Sequence, residues 1–283
     1  MSVRIIVESS ADMSEDIKSR VTVIPLVVRF GEEEFLDGVN LTHEQFYEKL
    51  AACNELPKTS QATPVDFAEA FEEVVAAGDT AVVLTISSTL SGTYQNAVVS
   101  AEDFEGRIFV VDSRTAAIGT GVLAEYALRL VDEGVSAEQI AQKLEQKRSD
   151  VCIIAMLDTL EYLKKGGRIS AVAAFAGGIL SIKPVIAVVD GNGEIVTLGK
   201  ARGLKQGHGM LTEEIEKAGG IDFSMPLLLG YSGTSDELLQ SYLQDAPTIF
   251  SRSADEYKVS EIGTVIGTHV GPGGIAAAFF RKK

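Results

Sequence analysis

Short β-branched runs alternate with amphipathic helical stretches through the first half of this chain, and that rhythm restricts its fold more than any other feature. Residues 3–7, 21–30, 81–86 and 107–111 read as strands. Helical patterns follow several of them. Thr42 with Gln45 three residues on predicts a capped helix start, and Thr63-Pro64 places proline at a first helical position. Further helices are expected from Tyr94 and from about Gly119. A βαβα order predicts a parallel sheet with helices on its faces, and ligands in such sheets sit beyond the carboxyl ends of the strands. Pro25 marks the second run as irregular or as an edge.

The second half has a different pattern. Runs at 151–156, 183–189, 194–198, 226–231 and 257–262 mix with two or three helices, and Asp190-Gly191-Asn192-Gly193 is a strong hairpin turn. The expectation is therefore α/β with two domains. Residues 1–160 would form a parallel-sheet α/β/α domain, and residues 161–283 an α+β domain with a mixed or antiparallel sheet.

Composition narrows the partners. The formal net charge of −15 argues against nucleic acid and against anionic membrane as a general partner, leaving at most transient membrane contact. The charge is uneven: residues 161–210 hold seven Lys/Arg against three acids. Two readings stay open for that segment, a solvated surface or a local positive site for phosphate or an acidic partner. Cys53 and Cys152 have no metal or disulfide spacing, and no signal-peptide pattern precedes the first strand, which together predict a cytoplasmic protein. The longest apolar stretch, 171–182, is too short to span a bilayer and is closed by Lys183-Pro184.

Four clusters carry candidate chemistry. Ser87-Ser88-Thr89-Leu90-Ser91-Gly92-Thr93 follows a strand and opens a helix, so its free N–H groups and the helix dipole favour an anion. It holds no Lys, Arg, Asp or Glu, which points to a small or singly charged one. In Lys58-Thr59-Ser60-Gln61-Ala62-Thr63-Pro64, helix capping explains Thr63 but leaves Thr59 and Ser60 over. Leu163-Lys164-Lys165-Gly166-Gly167-Arg168 reads either as a helix C-terminus with basic residues in its last turn or as a donor set for an oxyanion centred on Arg168. Gly267-Thr268-His269-Val270-Gly271-Pro272-Gly273-Gly274 puts His269 in what reads as a Gly/Pro-rich loop, where a structural histidine is not needed.

Several enzyme motifs fail. Ser91-Gly92-Thr93 lacks the lysine of a phosphate-binding P-loop, and Ser91 has Thr89, not glycine, two residues before it. His43, His208 and His269 are isolated from one another, and His43-Glu44 lacks the second histidine of a zinc helix. What remains is neutral hydroxyls, one histidine and one or two arginines. That set can hold a carboxylate but has no evident catalytic engine.

These residues resemble the DegV family, whose members include the fatty-acid-binding subunits of bacterial fatty acid kinase. The marks are Thr59-Ser60-Gln61, Ser88-x-Leu90-Ser91-Gly92-Thr93-Tyr94-Gln95, Leu163-x-Lys165-Gly166-Gly167-Arg168-Ile169, Ile182-Lys183-Pro184, Lys200-x-Arg202 and His269-x-Gly271-Pro272-Gly273. One departure is Glu8, where the family usually has Asp. The resemblance implies a long-chain fatty acid as ligand and no cofactor or metal. Its carboxylate would be bound by Thr59, Ser91 and His269, with Ser60 and Gly92 beside them. Arg168 and Arg202 would serve the acyl-phosphate step or docking of a kinase catalytic subunit. The small residues of 171–178 would line the tail or form a closely packed helix. The resulting expectation is a carrier that presents a fatty acid to a separate ATP-dependent kinase. An acyl hydrolase using Ser91 and His269 is the alternative, and a small-molecule sensor a third reading.

Overall fold

The computed structural model describes residues 2–169, 182–189, 191–251 and 256–282. The expectations for 171–178 and for Asp190 lie outside the described residues.

In chain order the first half contains β1 (Val3–Glu8), α1 (Glu15–Lys18), β2 (Thr22–Ile24), β3 (Val27–Phe30), β4 (Glu33–Leu36), α2 (His43–Ala52), β5 (Lys58–Thr59), α3 (Pro64–Ala76), β6 (Thr80–Thr85), α4 (Thr93–Ala101), β7 (Ile108–Asp112), α5 (Ile118–Asp132) and α6 (Ala137–Lys147). Strands β2-β1-β6-β7 form a parallel four-stranded sheet, and β4-β3-β5 a small antiparallel one. The expected run 21–30 is thus two strands in two sheets. Pro25, with no N–H for a ladder, falls between them.

The second half follows with β8 (Val151–Met156), α7 (Glu161–Lys165), β9 (Ile182–Val188), β10 (Val196–Arg202), α8 (Gly203–Lys217), β11 (Leu227–Tyr231), α9 (Glu237–Asp245), β12 (Val259–Glu261), α10 (Thr264–Val270) and β13 (Ile275–Phe280). They build a mixed sheet in the order β10-β9-β8-β13-β11-β12, in which only β11 and β12 run parallel. Strand β8 precedes residue 160 yet pairs in this second sheet, with β9 and β13.

Side-chain alternation assigns the faces. Ile5, Val7, Val82 and Leu84 pack with α5 and α6, and the same core continues to Ile153, Ala155, Ile186 and Ala278 on the second sheet. The opposite face of the first sheet, Ile6, Ala81 and Val83, meets α2, α3 and α4. The opposite face of the second, Cys152, Ile154, Met156 and Phe279, meets α8 and α9. Helix α5 therefore lies between the two sheets, which explains its buried, glycine-containing sequence. A Cβ on Gly121 would overlap the carbonyl oxygen of Asp12. No helix among the described residues is long and apolar enough to cross a membrane.

Local signals fix the helix starts. Thr63 Oγ1 accepts from Asp66 N–H at 3.3 Å, the Asp66 carboxylate accepts from Thr63 N–H at 2.7 Å, and Pro64 opens the helix. Thr63→Ala should lower stability by about 1 kcal/mol, read as a shift of the urea midpoint. A change too small to measure would show that tertiary packing alone sets this helix start.

Candidate functional site

An apolar cavity lined from both halves of the chain has about 1010 Å³ of empty space, its open mouth included. Strand alternation supplies much of its wall, with Ile153 and Ala155 from β8 and Ile186 and Val188 from β9. Helix α10 adds Val265, Ile266 and Val270. Ala116 and Ala117 close in from the start of α5, where Ala117 takes a positive φ of 52°.

Most of the polar lining residues gather at the mouth, while Ser10 and Ser232 line the cavity away from it. Thr59, Ser60, Gln61, Ser91 and Arg168 line both the cavity and its open entrance, and Gly92 lines the entrance. Thr59 is brought there by β5, which pairs with β3 at Val28. Its Oγ1 lies 2.9 Å from His269 Nε2. Ser91 sits in the turn between β6 and α4, its Oγ 2.9 Å from Thr93 Oγ1. Ser60 is exposed beside Thr59, and its backbone N–H donates to the carbonyl of Val27 at 3.0 Å.

His269 departs from the expected loop. It lies in the last turn of α10, half-buried, with Val265, Ile266 and Val270 beside it in the cavity wall. Its Nδ1 has no hydrogen-bond partner. Gly166 approaches it so closely that a Cβ there would overlap Nδ1. Burial, helped by the nearby Arg168 charge, pushes the imidazole down to about 4, so it is neutral at pH 7. The unfolded chain protonates this histidine near pH 6.5 and the folded protein only near pH 4. Its contribution to stability is therefore lost as pH falls through that interval.

Arg168 follows the helix C-terminus of its first reading, and its side chain lines the mouth. Gly167 has φ +69° just beyond α7, so the helix ends in a left-handed glycine. The chain then turns Arg168 to the mouth, where Nη1 donates to the carbonyl of Gly166 at 2.6 Å. Arg202 is placed elsewhere. It is exposed at the end of β10, its backbone N–H donates to Gln206 Oε1 at 2.7 Å, and it lines neither cavity nor mouth.

Several hydroxyls of the Ser/Thr loop bond within the protein. Ser88 Oγ donates to Asp112 Oδ2 at 2.6 Å, and Ser87 Oγ lies 2.8 Å from Thr89 Oγ1. Thr89 Oγ1 in turn donates to the carbonyl of Gly193 at 2.6 Å. Three of its hydroxyls thus fix the loop and fasten it to the turn between β9 and β10. Ser91 and Gly92 line the mouth together with Ser88, Thr89 and Leu90. Gln61, whose side chain covers Gly92, was absent from the expected site, and so were the apolar lining positions. The alternation of β8 and β9 was the available signal for the latter. Glu8 lies buried below the cavity, accepting from Ile86 N–H at 2.6 Å and from Ser10 N–H at 2.9 Å. Among the described residues no group of His, Cys, Asp and Glu side chains could hold a metal ion.

The comparisons agree with this architecture. A family profile described as "Uncharacterised protein, DegV family" matches residues 2–282. A DegV domain-containing protein of Deinococcus radiodurans is 34% identical, with 98% of each chain covered. A solved DegV family protein of Thermus thermophilus, described by its fatty acid binding, has a TM-score of 0.86 at 30% identity and covers 99% of this chain and 100% of its own. A stearic acid-binding protein of Eubacterium ventriosum has a TM-score of 0.86 at 29% identity, covering 100% of this chain and 99% of its own. With a profile match across nearly its whole length, a relative above 30% identity and the same fold throughout, the chain belongs to the DegV family.

Proposed function

We propose that this protein binds a long-chain fatty acid, its tail in the apolar cavity and its carboxylate among Thr59, Ser91 and His269. One observation carries the reading: an apolar cavity opens at a mouth lined by Thr59, Ser60, Ser91 and Arg168, next to a histidine held neutral. Hydroxyls and a neutral imidazole can donate to one carboxylate without burying a second fixed charge. The fatty acid binding of the Thermus and Eubacterium proteins supports the same ligand class.

We further propose that the carboxylate is presented to a separate ATP-dependent kinase in the cytoplasm and that the protein then carries the acyl phosphate. Arg168 at the mouth supplies a planar donor fork for the new phosphate. Arg202, at the end of the second sheet from which α7 departs, suits docking of the kinase subunit. The hydrolase alternative loses ground on geometry. Ser91 Oγ is bonded to Thr93, His269 Nε2 to Thr59, and no acid orients His269 Nδ1.

Denaturing extraction followed by mass spectrometry should release a long-chain fatty acid from the purified protein. Protein that emerges lipid-free and gains no thermal stability from oleate or palmitate would overturn the binding proposal. A fluorophosphonate probe should leave Ser91 unlabelled, whereas labelling there would revive the hydrolase. Hydroxylamine trapping of acyl phosphate, with a fatty acid kinase catalytic subunit and ATP, tests the kinase step.

Carboxylate binding beside His269 should also draw a proton. A nearby anion favours the imidazolium and raises its pKa from about 4, so proton uptake is expected near pH 5. Calorimetry in buffers of different ionisation heat should show uptake that disappears in His269→Gln. Identical uptake in that variant would assign the proton to the fatty acid itself.

A further inference from the structure

A second cavity lies at the opposite end of α10 from His269. The turn after β1, the loop between β4 and α2 and the start of α10 enclose about 1270 Å³ of empty space, its open rim included. It shares no lining residue with the first cavity.

Its walls are rich in carboxylates. Asp12 and Asp37 are buried in them, with 5% and 8% exposure, while Glu15 and Glu261 stand exposed at the rim. Gly263 sits between the two buried acids. Its N–H donates to Asp12 Oδ1 at 2.8 Å, and a Cβ built on it would lie 2.9 Å from Asp12 Oδ1 and 3.9 Å from Asp37 Oδ2. Asp12 Oδ2 has no hydrogen-bond partner. Asp12 lines the cavity and is more than nine-tenths buried. Native interiors rarely leave such groups unpaired.

A cation that donates hydrogen bonds would suit such a wall. Carboxylates accept only, and burial pushes the Asp12 and Asp37 carboxyls up. Lys18, the only Lys or Arg among the lining residues described, is exposed and 3.9 Å from Glu15. No metal-holding cluster occurs among the described residues. We propose that this cavity binds a small organic ammonium ion, a primary amine whose N–H donors reach Asp12, Asp37 and the Thr264 hydroxyl.

Calorimetric titration of the intact protein with ethanolamine and with putrescine tests this, with choline and magnesium chloride as comparisons. Saturable binding of a primary amine is expected. Choline, which has no N–H donor, should bind at least about tenfold more weakly, and Asp12→Asn and Asp37→Asn should each weaken the amine by at least about tenfold. Asparagine at 12 keeps an acceptor for Gly263 N–H, so stearate affinity should be unchanged, which separates this site from the fatty-acid site. Failure of both amines to bind would mean that water alone fills the cavity and would overturn the proposal. So would binding of magnesium in place of the amines, equal binding of choline, or unaltered amine affinity in both variants.

Discussion

Stearate should bind this protein about four to five orders of magnitude more tightly than decanoate. The two acids share a head group and differ by eight methylenes. Each methylene taken from water contributes about 0.8 kcal/mol, so the difference is about 6 kcal/mol, and about 1.4 kcal/mol corresponds to one decade. The expectation follows from the walls. Ile153, Ile186, Val188, Val265 and Ile266 line the cavity with apolar side chains, so each added methylene of a tail bound there would meet apolar wall. Competition against a fluorescent fatty acid, below the micelle concentration of each ligand, gives the series directly. Affinity that hardly changes with chain length would place the tail outside the cavity.

Thr59→Ala and Ser91→Ala should each weaken palmitate binding by about 1–3 kcal/mol, the usual loss for a hydrogen bond to a charged group. Gly166→Ala should do similar damage without removing any donor. Its Cβ would overlap His269 Nδ1, so the ring must turn and leave Thr59. The two hydroxyl variants should preserve the fold, because Thr59 pairs through its backbone and Ser91 lies in a partly exposed turn. Palmitate affinity equal to the parent in Gly166→Ala would show that the His269 position does not matter for binding. Equal affinity in both hydroxyl variants would move the carboxylate away from this mouth.

How much of this was legible in the sequence differs from element to element. The parallel sheet was readable because β1, β6 and β7 are β-branched runs separated by helices with clear starts at Thr63 and in the turn before α4. Strand β13 was not. Its sequence Ile-Ala-Ala-Ala-Phe-Phe lacks β-branched residues after the first, yet it lies between β8 and β11, where the small side chains fit between closely packed neighbours. Strand β10 begins at Val196, later than the expected 194–198, and continues to Arg202 through an irregularity near Gly199. The glycines and proline around His269 gave a loop, whereas α10 runs through Gly267 to end at Gly271, with φ +71°. Glycine at 267 is required there because a Cβ would sit 2.7 Å from the Phe46 ring.

The site shows the same division. Thr59, Ser91, Arg168 and His269 stood out as polar residues that capping and packing did not use up. Their meeting at one mouth depends on β5, the turn before α4, the end of α7 and the end of α10, which are far apart in the chain. Ser87, Ser88 and Thr89 carried the same hydroxyl signal for a different reason. They bond Asp112 and Gly193, partners that sequence spacing does not reveal. Asp12 lies in the turn after β1. Its burial against Gly263 comes from a contact across 251 residues.

The central claim is the position of one carboxylate. A crystal structure of the protein with bound stearate tests it directly. The carboxylate is expected within hydrogen-bond distance of Thr59 Oγ1 and Ser91 Oγ, with the tail running inward between β8, β9 and α10. Density showing the head group at the inner end, or the tail lying outside the two sheets, would contradict the account.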